Sequence, residues 1–240
     1  MSTPPSPPGP KTLPGEIRSW GKSIGIALLI WVGLRSYLVE AFRIPSPSME
    51  NTLLTGDFLF VNKAVFGGQL EIPLTGIHGL RVKGYEQPHR DELVIFRSVE
   101  DSTPNLIIVK RVIGQPGDTL QMVHDTLIRN GHRLDEPYVL RLDVAGSEDL
   151  YRLQMRKLQL PHYLGKDPDH YQPTSHDWGP IVVPPDSFWV MGDNRAESYD
   201  SRYWGFLPGW RIEGRPALIY FSVALDPFRI RWNRILRRPT

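Results

Sequence analysis

Sixteen residues from Ile24 to Val39 carry a single charge, Arg35, and are otherwise apolar apart from Gly25, Gly33, Ser36 and Tyr37. The lack of polar spacing argues against a helix docked on a soluble core, where one face would stay hydrophilic. Wound as a helix, the run covers ~24 Å, against a hydrocarbon layer of ~30 Å. It therefore spans a bilayer with help from flanking residues and with Arg35 reaching toward the interface. A cleavable leader ending at Val39-x-Ala41 is the competing reading, although Arg35 and Tyr37 fit poorly in a cleavage region. The anchor reading constrains everything else. Residues 23–42 become the membrane segment, and residues 43–240 must fold by themselves on one side of it.

The two flanks differ in kind. Pro4, Pro5, Pro7, Pro8, Pro10 and Pro14 crowd the first fifteen residues, which denies a helix its hydrogen bonds and a core its apolar groups. Residues 1–22 are expected to be a disordered tail. Lys11, Arg18 and Lys22 precede the span and only Arg43 closely follows it, so the tail belongs in the cytoplasm and the larger domain outside, on the plasma (inner) membrane. The net charge of +2, from 28 basic and 26 acidic residues, is too small to suggest a nucleic-acid partner. The absence of cysteine removes disulfides, thiolate metal sites and cysteine nucleophiles.

Beyond Arg43 the pattern becomes short β-rich runs separated by turns. Strands are predicted at Phe58 to Val61, Leu93 to Phe96, Leu106 to Ile113, Thr119 to Val123, Thr126 to Ile128, Ile181 to Val183, Phe188 to Met191 and Ala217 to Phe221. Asn130-Gly131 is the dipeptide of a tight hairpin, and Pro116-Gly117-Asp118 marks a turn. The domain is thus mostly β, with an irregular insertion over residues 134–180 in which residues 150–158 have helical spacing.

Three stretches carry chemistry. In Ile44-Pro45-Ser46-Pro47-Ser48-Met49 two hydroxyls stand two residues apart, and an extended run points both the same way. In Leu106-Ile107-Ile108-Val109-Lys110-Arg111-Val112-Ile113, alternation puts Lys110 between Ile108 and Val112 and sends Arg111 to the opposite face. One of the two cations must enter an apolar layer, and a desolvated lysine loses part of its basicity. The third stretch, Gly192-Asp193-Asn194-Arg195-Ala196-Glu197-Ser198-Tyr199-Asp200-Ser201-Arg202-Tyr203-Trp204-Gly205, mixes acids, arginines and hydroxyls directly after an apolar strand.

Two other matches fail on context. Gly21-Lys22-Ser23-Ile24-Gly25 has the nucleophile-elbow spacing but no preceding strand. Gly15 precedes Gly21-Lys22-Ser23 one residue too far away for a phosphate loop, so no nucleotide is expected. The acidic residues around His170 and His176 suit a solvated loop, and no metal site is expected.

Taken in order, the span leading into Phe42 to Met49, the run Leu53 to Lys63, the run Val109 to Asp118 and the loop Gly192 to Gly205 resemble the four boxes of the bacterial type I signal peptidases, or leader peptidases. The resemblance covers most of Ile24 to Ser222. It implies an antiparallel β-sheet catalytic domain behind one N-terminal transmembrane helix, with no cofactor, that cuts signal peptides from exported preproteins. The implied cut follows small residues at the −3 and −1 positions. It implies Ser48 as nucleophile, Lys110 as general base, the Ser48 N–H and Ser46 hydroxyl as oxyanion hole, and Ser198 as the partner orienting Lys110. Substrate would lie beside Phe42 to Ser46, including Ile44 and Pro45, and beside Ile107, Ile108 and Val109. Met49, Leu53 and Ile95 would help to line shallow pockets. Asp193 with Arg111, and Asp200 with Arg202, match structural ion pairs.

The sequence departs from the family at Pro47, often glycine there, at Asp91-Glu92 in place of Gly-Asp, and at Ala196 in place of an acid. Two other classes remain open: a self-cleaving repressor with the same serine-lysine chemistry, and a tethered β-domain that binds exported peptides without cutting them. The partners are then the signal peptide and the lipid bilayer. The basic, apolar end from Phe228 to Arg238 either lies in solvent or rests on anionic lipid.

Overall fold

The computed structural model describes residues 13–72, 77–104, 106–140 and 148–239. Helix α1, Leu13–Tyr37, opens the described chain. It begins ten residues earlier than the expected anchor and ends before residue 39, because the chain there turns into strand β1, Val39–Arg43. Residues 13–22, expected to be tail, are therefore helical. Pro14 falls in the first turn, where backbone N–H groups have no acceptor within the helix and a missing one costs nothing. Residues 1–12 of the expected tail lie outside the described residues. The part of α1 from Ile17 to Tyr37 is long and apolar enough to cross a membrane; its 21 residues reach ~32 Å, so the span no longer falls short. Ile17, Trp20, Leu28, Leu29 and Ile30 are all exposed, so this helix offers its apolar surface outward. Arg35 does not reach away from the domain. It pairs with Glu40 of β1 at 2.8 Å.

The remaining strands are β2 Asp57–Asn62, β3 Gln69–Ile72, β4 Ile77–Arg81, β5 Leu93–Arg97, β6 Ile107–Gly114, β7 Thr119–Val123, β8 Thr126–Arg129, β9 His132–Arg133, β10 Trp178–Val182, β11 Ser187–Met191, β12 Leu207–Pro208, β13 Ile212–Leu225 and β14 Phe228–Ile230. The two further helices are α2, Glu148–Gln159, and α3, Ser201–Trp204. The large sheet runs β1-β2-β13-β5-β6-β11-β12, with β14 on β13. A second sheet runs β10-β7-β8-β9, and β3 pairs with β4. All strand pairings named here are antiparallel. At the β8–β9 hairpin Asn130 and Gly131 both have positive φ, 53° and 79°, the conformation that favours this dipeptide in tight hairpins.

Strand β13 holds the large sheet together. Ile212 and Gly214 pair with β5, and residues from Arg215 to Ser222 pair with β2. Shifts in register near Pro216 and Ile219 re-aim the strand between its two partners. Pro216 has no N–H to give a ladder and sits beside one of these irregularities.

Among the described residues, the first half of β6 has no partner strand on one side, and neither has the outer edge of β1. Residues Ile107 to Lys110 pair with β5 on one side, while β11 joins the other side of β6 only from Arg111 onward. Among the described residues, strand β1 pairs with β2 alone. Phe42 of β1 and Ile107 of β6 pack against one shared core cluster, built from Ile44, Met49, Leu53, Leu59, Val61, Leu93, Ile95, Val109 and Ile219. The insertion is more regular than expected. Its helix α2 packs on α3, and Trp178 already belongs to the second sheet. Residues 141–147 of it lie outside the described residues.

Candidate active site

The run Ser46 to Met49 is not extended throughout. Ser46 has extended backbone, φ −131° and ψ 158°, but Pro47–Met49 form a single 3-10 turn. Successive strand residues on one face stand ~6.6 Å apart, whereas the Ser46 and Ser48 hydroxyl oxygens are 3.5 Å apart. The turn, and not strand alternation, brings the hydroxyls together. Pro47 supplies the fixed φ that a first turn accepts and has no N–H. The first backbone N–H of the turn therefore belongs to Ser48, and such groups have no acceptor inside the helix. Ser48 is buried while Ser46 faces solvent.

The turn packs on β6. Lys110, in the middle of that strand, is only 3% exposed. Its same-face neighbours Ile108 and Val112 belong to a cluster with Val94, Phe96, Phe188, Val190, Trp204, Leu207 and Ile212. Burial lowers the lysine pKa from 10.5 to about 8, with Asp200 and Asp193 opposing that fall and Arg202 adding to it. Arg111 is buried too, on the opposite face, so both cations of the strand leave water. The arginine makes two hydrogen bonds to Asp193, Nε to Oδ1 at 2.8 Å and a terminal nitrogen to Oδ2 at 2.7 Å. Thr52 donates to the same carboxylate at 2.5 Å.

The loop from Gly192 to Arg202 connects these groups. Asn194 N–H donates to the Ser48 carbonyl at 3.1 Å. Gly192 N–H donates to Asp200 at 3.0 Å, and the Ser198 hydroxyl donates to the same carboxylate at 2.7 Å. Ser198 thus uses its proton on Asp200, which leaves its oxygen to accept. Asp200 is buried, and burial alone would raise its pKa. The Arg202 charge, with a hydrogen bond at 2.9 Å, overrides burial and holds the carboxyl below its usual range. A side chain at Gly192 would place its Cβ 2.3 Å from the Ser198 hydroxyl and 2.4 Å from the Ser48 carbonyl oxygen. That glycine is what lets the loop and the Ser48 turn touch.

The expected pocket residues Ile44, Met49, Leu53, Ile95 and Val109 fall into one cluster with Phe42 and Ile107 at its margin. Ile108 does not join them. It lies on the Lys110 face, in the other cluster, because neighbours on a strand alternate sides. Pro45 is exposed beside the open edge of β1. Sequence reasoning passed over Thr52, Asn194 and Gly192. Only Gly192 carried a signal, a glycine closing an apolar strand.

A buried serine in a turn, a lysine of lowered basicity on the strand beneath it and an apolar floor between strand edges suit a β-fold hydrolase of the serine type. The family described as signal peptidase, peptidase S26, matches residues 17–221. The chain belongs to that family and is a serine endopeptidase. It is 34% identical over 215 residues to signal peptidase I of Pseudomonas fluorescens, covering 85% of this chain and 72% of that one. It is 33% identical over 208 residues to signal peptidase I P of Bacillus subtilis subsp. natto, covering 86% and 89%. A crystal structure of a signal peptidase I from Enterococcus faecalis shares 30% identity, covers 54% of this chain and 97% of its own, and has a TM-score of 0.34.

Proposed function

We propose that this peptidase is anchored by α1 and removes signal peptides from exported preproteins with a Ser48–Lys110 pair. The observation that carries the reading is Lys110, buried among apolar side chains on the strand beneath the Ser48 turn and held to about 8. A lysine accepts a proton only when neutral, and at ordinary basicity almost none is neutral near pH 7. Neutral Lys110 takes the Ser48 proton as Oγ attacks the scissile carbonyl, and the charge that develops on oxygen meets the Ser48 N–H and the Ser46 hydroxyl. The lysine then returns the proton to the departing amine, and on a second pass activates the water that releases the acyl group. Ser198, whose own proton is committed to Asp200, accepts from Lys110 and turns its lone pair toward Ser48. The ion pairs Arg111–Asp193 and Arg202–Asp200 keep the frame rigid.

The preprotein lies extended between the open edges of β1 and β6, contributing backbone hydrogen bonds as an added strand. The floor of Ile44, Met49, Leu53, Ile95 and Val109 is buried and closely packed, so it accommodates small side chains at the −3 and −1 positions and excludes larger ones. Lys11 just before α1, with Arg18 and Lys22 in its first turns, supports an N-terminus in the cytoplasm and a β-domain on the far side of the plasma membrane.

The reading is tested with the purified full chain in detergent and a synthetic precursor carrying alanine at −3 and −1. Wild type should release the mature peptide at that bond, while Ser48→Ala and Lys110→Arg should be inactive, since guanidinium stays protonated at any usable pH. Binding without cleavage by wild type, or near-normal turnover by Lys110→Arg, would overturn it.

A further inference from the structure

The first residues of the insertion, directly after β9, lie outside the catalytic machinery just described, yet they touch both halves of it. Leu140 forms a parallel bridge with Asn194. Its N–H donates to the Asp193 carbonyl at 2.8 Å, and its carbonyl accepts from Arg195 N–H at 3.2 Å. Four residues earlier, Glu136 takes both terminal nitrogens of Arg195, and the two side chains are 2% and 10% exposed. On the other side, the Asn51 amide donates to the Tyr138 carbonyl at 2.9 Å. The Tyr138 ring covers the Arg111 guanidinium with its centroid 3.9 Å from the central carbon.

These contacts form a closed circuit. Asn51 stands three residues after Ser48, and Asn194 of the gripped loop holds the Ser48 carbonyl. A five-residue strap, Glu136 to Leu140, thus joins the turn to the loop from outside, with a largely buried ion pair and the Leu140 bridge fixing its two ends to the loop and the Asn51 amide fixing its middle to the turn. Buried charge pairs of this kind are costly to desolvate and hold their geometry once formed. Exposed loop tips have no need of them.

We propose that the strap is a positioning element for the reaction: Glu136 and Asn51 fix the distance between the Ser48 turn and the loop that carries Ser198 and Asp200. The inference rests on the assignment of Ser48 and Lys110 above. Glu136 and Asn51 touch no reacting atom, so their effect is on the alignment of Ser48 with Lys110, and alignment enters turnover more than binding. A displacement of about 1 Å at a distance from the chemistry can cost about 100-fold in rate.

The experiment compares wild type, Glu136→Gln and Asn51→Gly in detergent with the same synthetic precursor. Asn51 has φ 92°, which glycine adopts without strain, so this second variant removes the amide without bending the turn. Both variants, shown folded by circular dichroism at the assay temperature, should lose about 10- to 100-fold in kcat with KM changed less than about threefold. The acidic limb of the pH–rate profile should stay close to that of wild type, because burial among Ile108, Val112 and their cluster, the largest cause of the lowered Lys110 pKa, is the same in both variants. A kcat within twofold of wild type in either folded variant, or a loss carried by KM alone, would overturn the inference. Should Glu136→Gln fail to fold, Asn51→Gly decides the matter by itself. Failure of the strap leaves Ser48→Ala inactive and wild type active, whereas failure of the underlying assignment leaves wild type without cleavage.

Discussion

Replacing Lys110 by Met should make the protein more stable while abolishing its activity. The lysine keeps a pKa of about 8 in the fold against 10.5 when solvated, and at about 1.4 kcal/mol per pH unit the folded state carries a penalty of about 3 kcal/mol for holding the cation. The sign follows from which state binds the proton more tightly. Here the unfolded chain does, so the penalty is complete below pH 8, shrinks as pH rises, and vanishes above 10.5. Methionine matches the length of the lysine stem and has no charge to desolvate. For a chain of this size about 3 kcal/mol corresponds to a rise in Tm of roughly 6–12 °C. Thermal melts of wild type and Lys110→Met in detergent, taken from pH 6 to pH 10.5, measure the difference directly. The gap should be widest and flat below pH 8 and should close as pH approaches 10.5. A variant that is less stable at pH 7, or a gap that does not change with pH, would show that Lys110 is charged and well paired in the fold. The desolvation argument would then be wrong.

Two further outcomes follow from the geometry. Gly192→Ala should fold with the loop displaced from the Ser48 turn, since its new Cβ cannot stay 2.3 Å from the Ser198 hydroxyl, and kcat on a synthetic precursor should fall about 100-fold or more; turnover within threefold of wild type would refute the close contact. Protease added to cells made permeable at the surface should digest the chain beyond Arg43 and spare the N-terminal tail, as probed with epitope tags at both ends, and the reverse pattern would refute the orientation.

The strands that positioned the site were legible because their signal is local. Leu93 to Phe96, Leu106 to Ile113 and Phe188 to Met191 are apolar runs bounded by turns, and they appear as β5, β6 and β11. The strand β1 was hidden inside the apparent anchor, because Val39 and Phe42 read equally well as membrane residues and as a half-buried edge. The pairing of Arg35 with Glu40 could not be foreseen for the same reason. Alternation along β6 correctly separated Lys110 from Arg111. It could not show that both would be buried, since the second charge is neutralised by Asp193, 82 residues away. The geometry of Ser46 and Ser48 was misread as extended because two prolines suit an extended run and the start of a helical turn equally. The strap from Glu136 to Leu140 had no signal, for its partners are distant in sequence and its composition is that of an ordinary loop.

The basic end of the chain reaches back further than its exposed aromatic residues suggest. Arg234 pairs with the fully buried Asp57 at 2.6 Å and donates to the Thr52 carbonyl at 2.9 Å, and Leu236 N–H donates to Ile219. Arg231 lies along the same carboxylate and donates to Thr55. These arginines are turned inward, onto the segment that follows Ser48 and onto the first residue of β2. Asp57 and Arg234 are 177 residues apart, and contacts across such distances close late because the intervening chain must first be ordered. In a chain that emerges N-terminus first the Ser48 turn is made early, and Arg231 and Arg234 follow 176 and 177 residues behind Thr55 and Asp57. Before Ile212 to Leu225 are in place β2 lacks β13 and the floor lacks Ile219, and before Arg234 follows Asp57 lacks its closest cation.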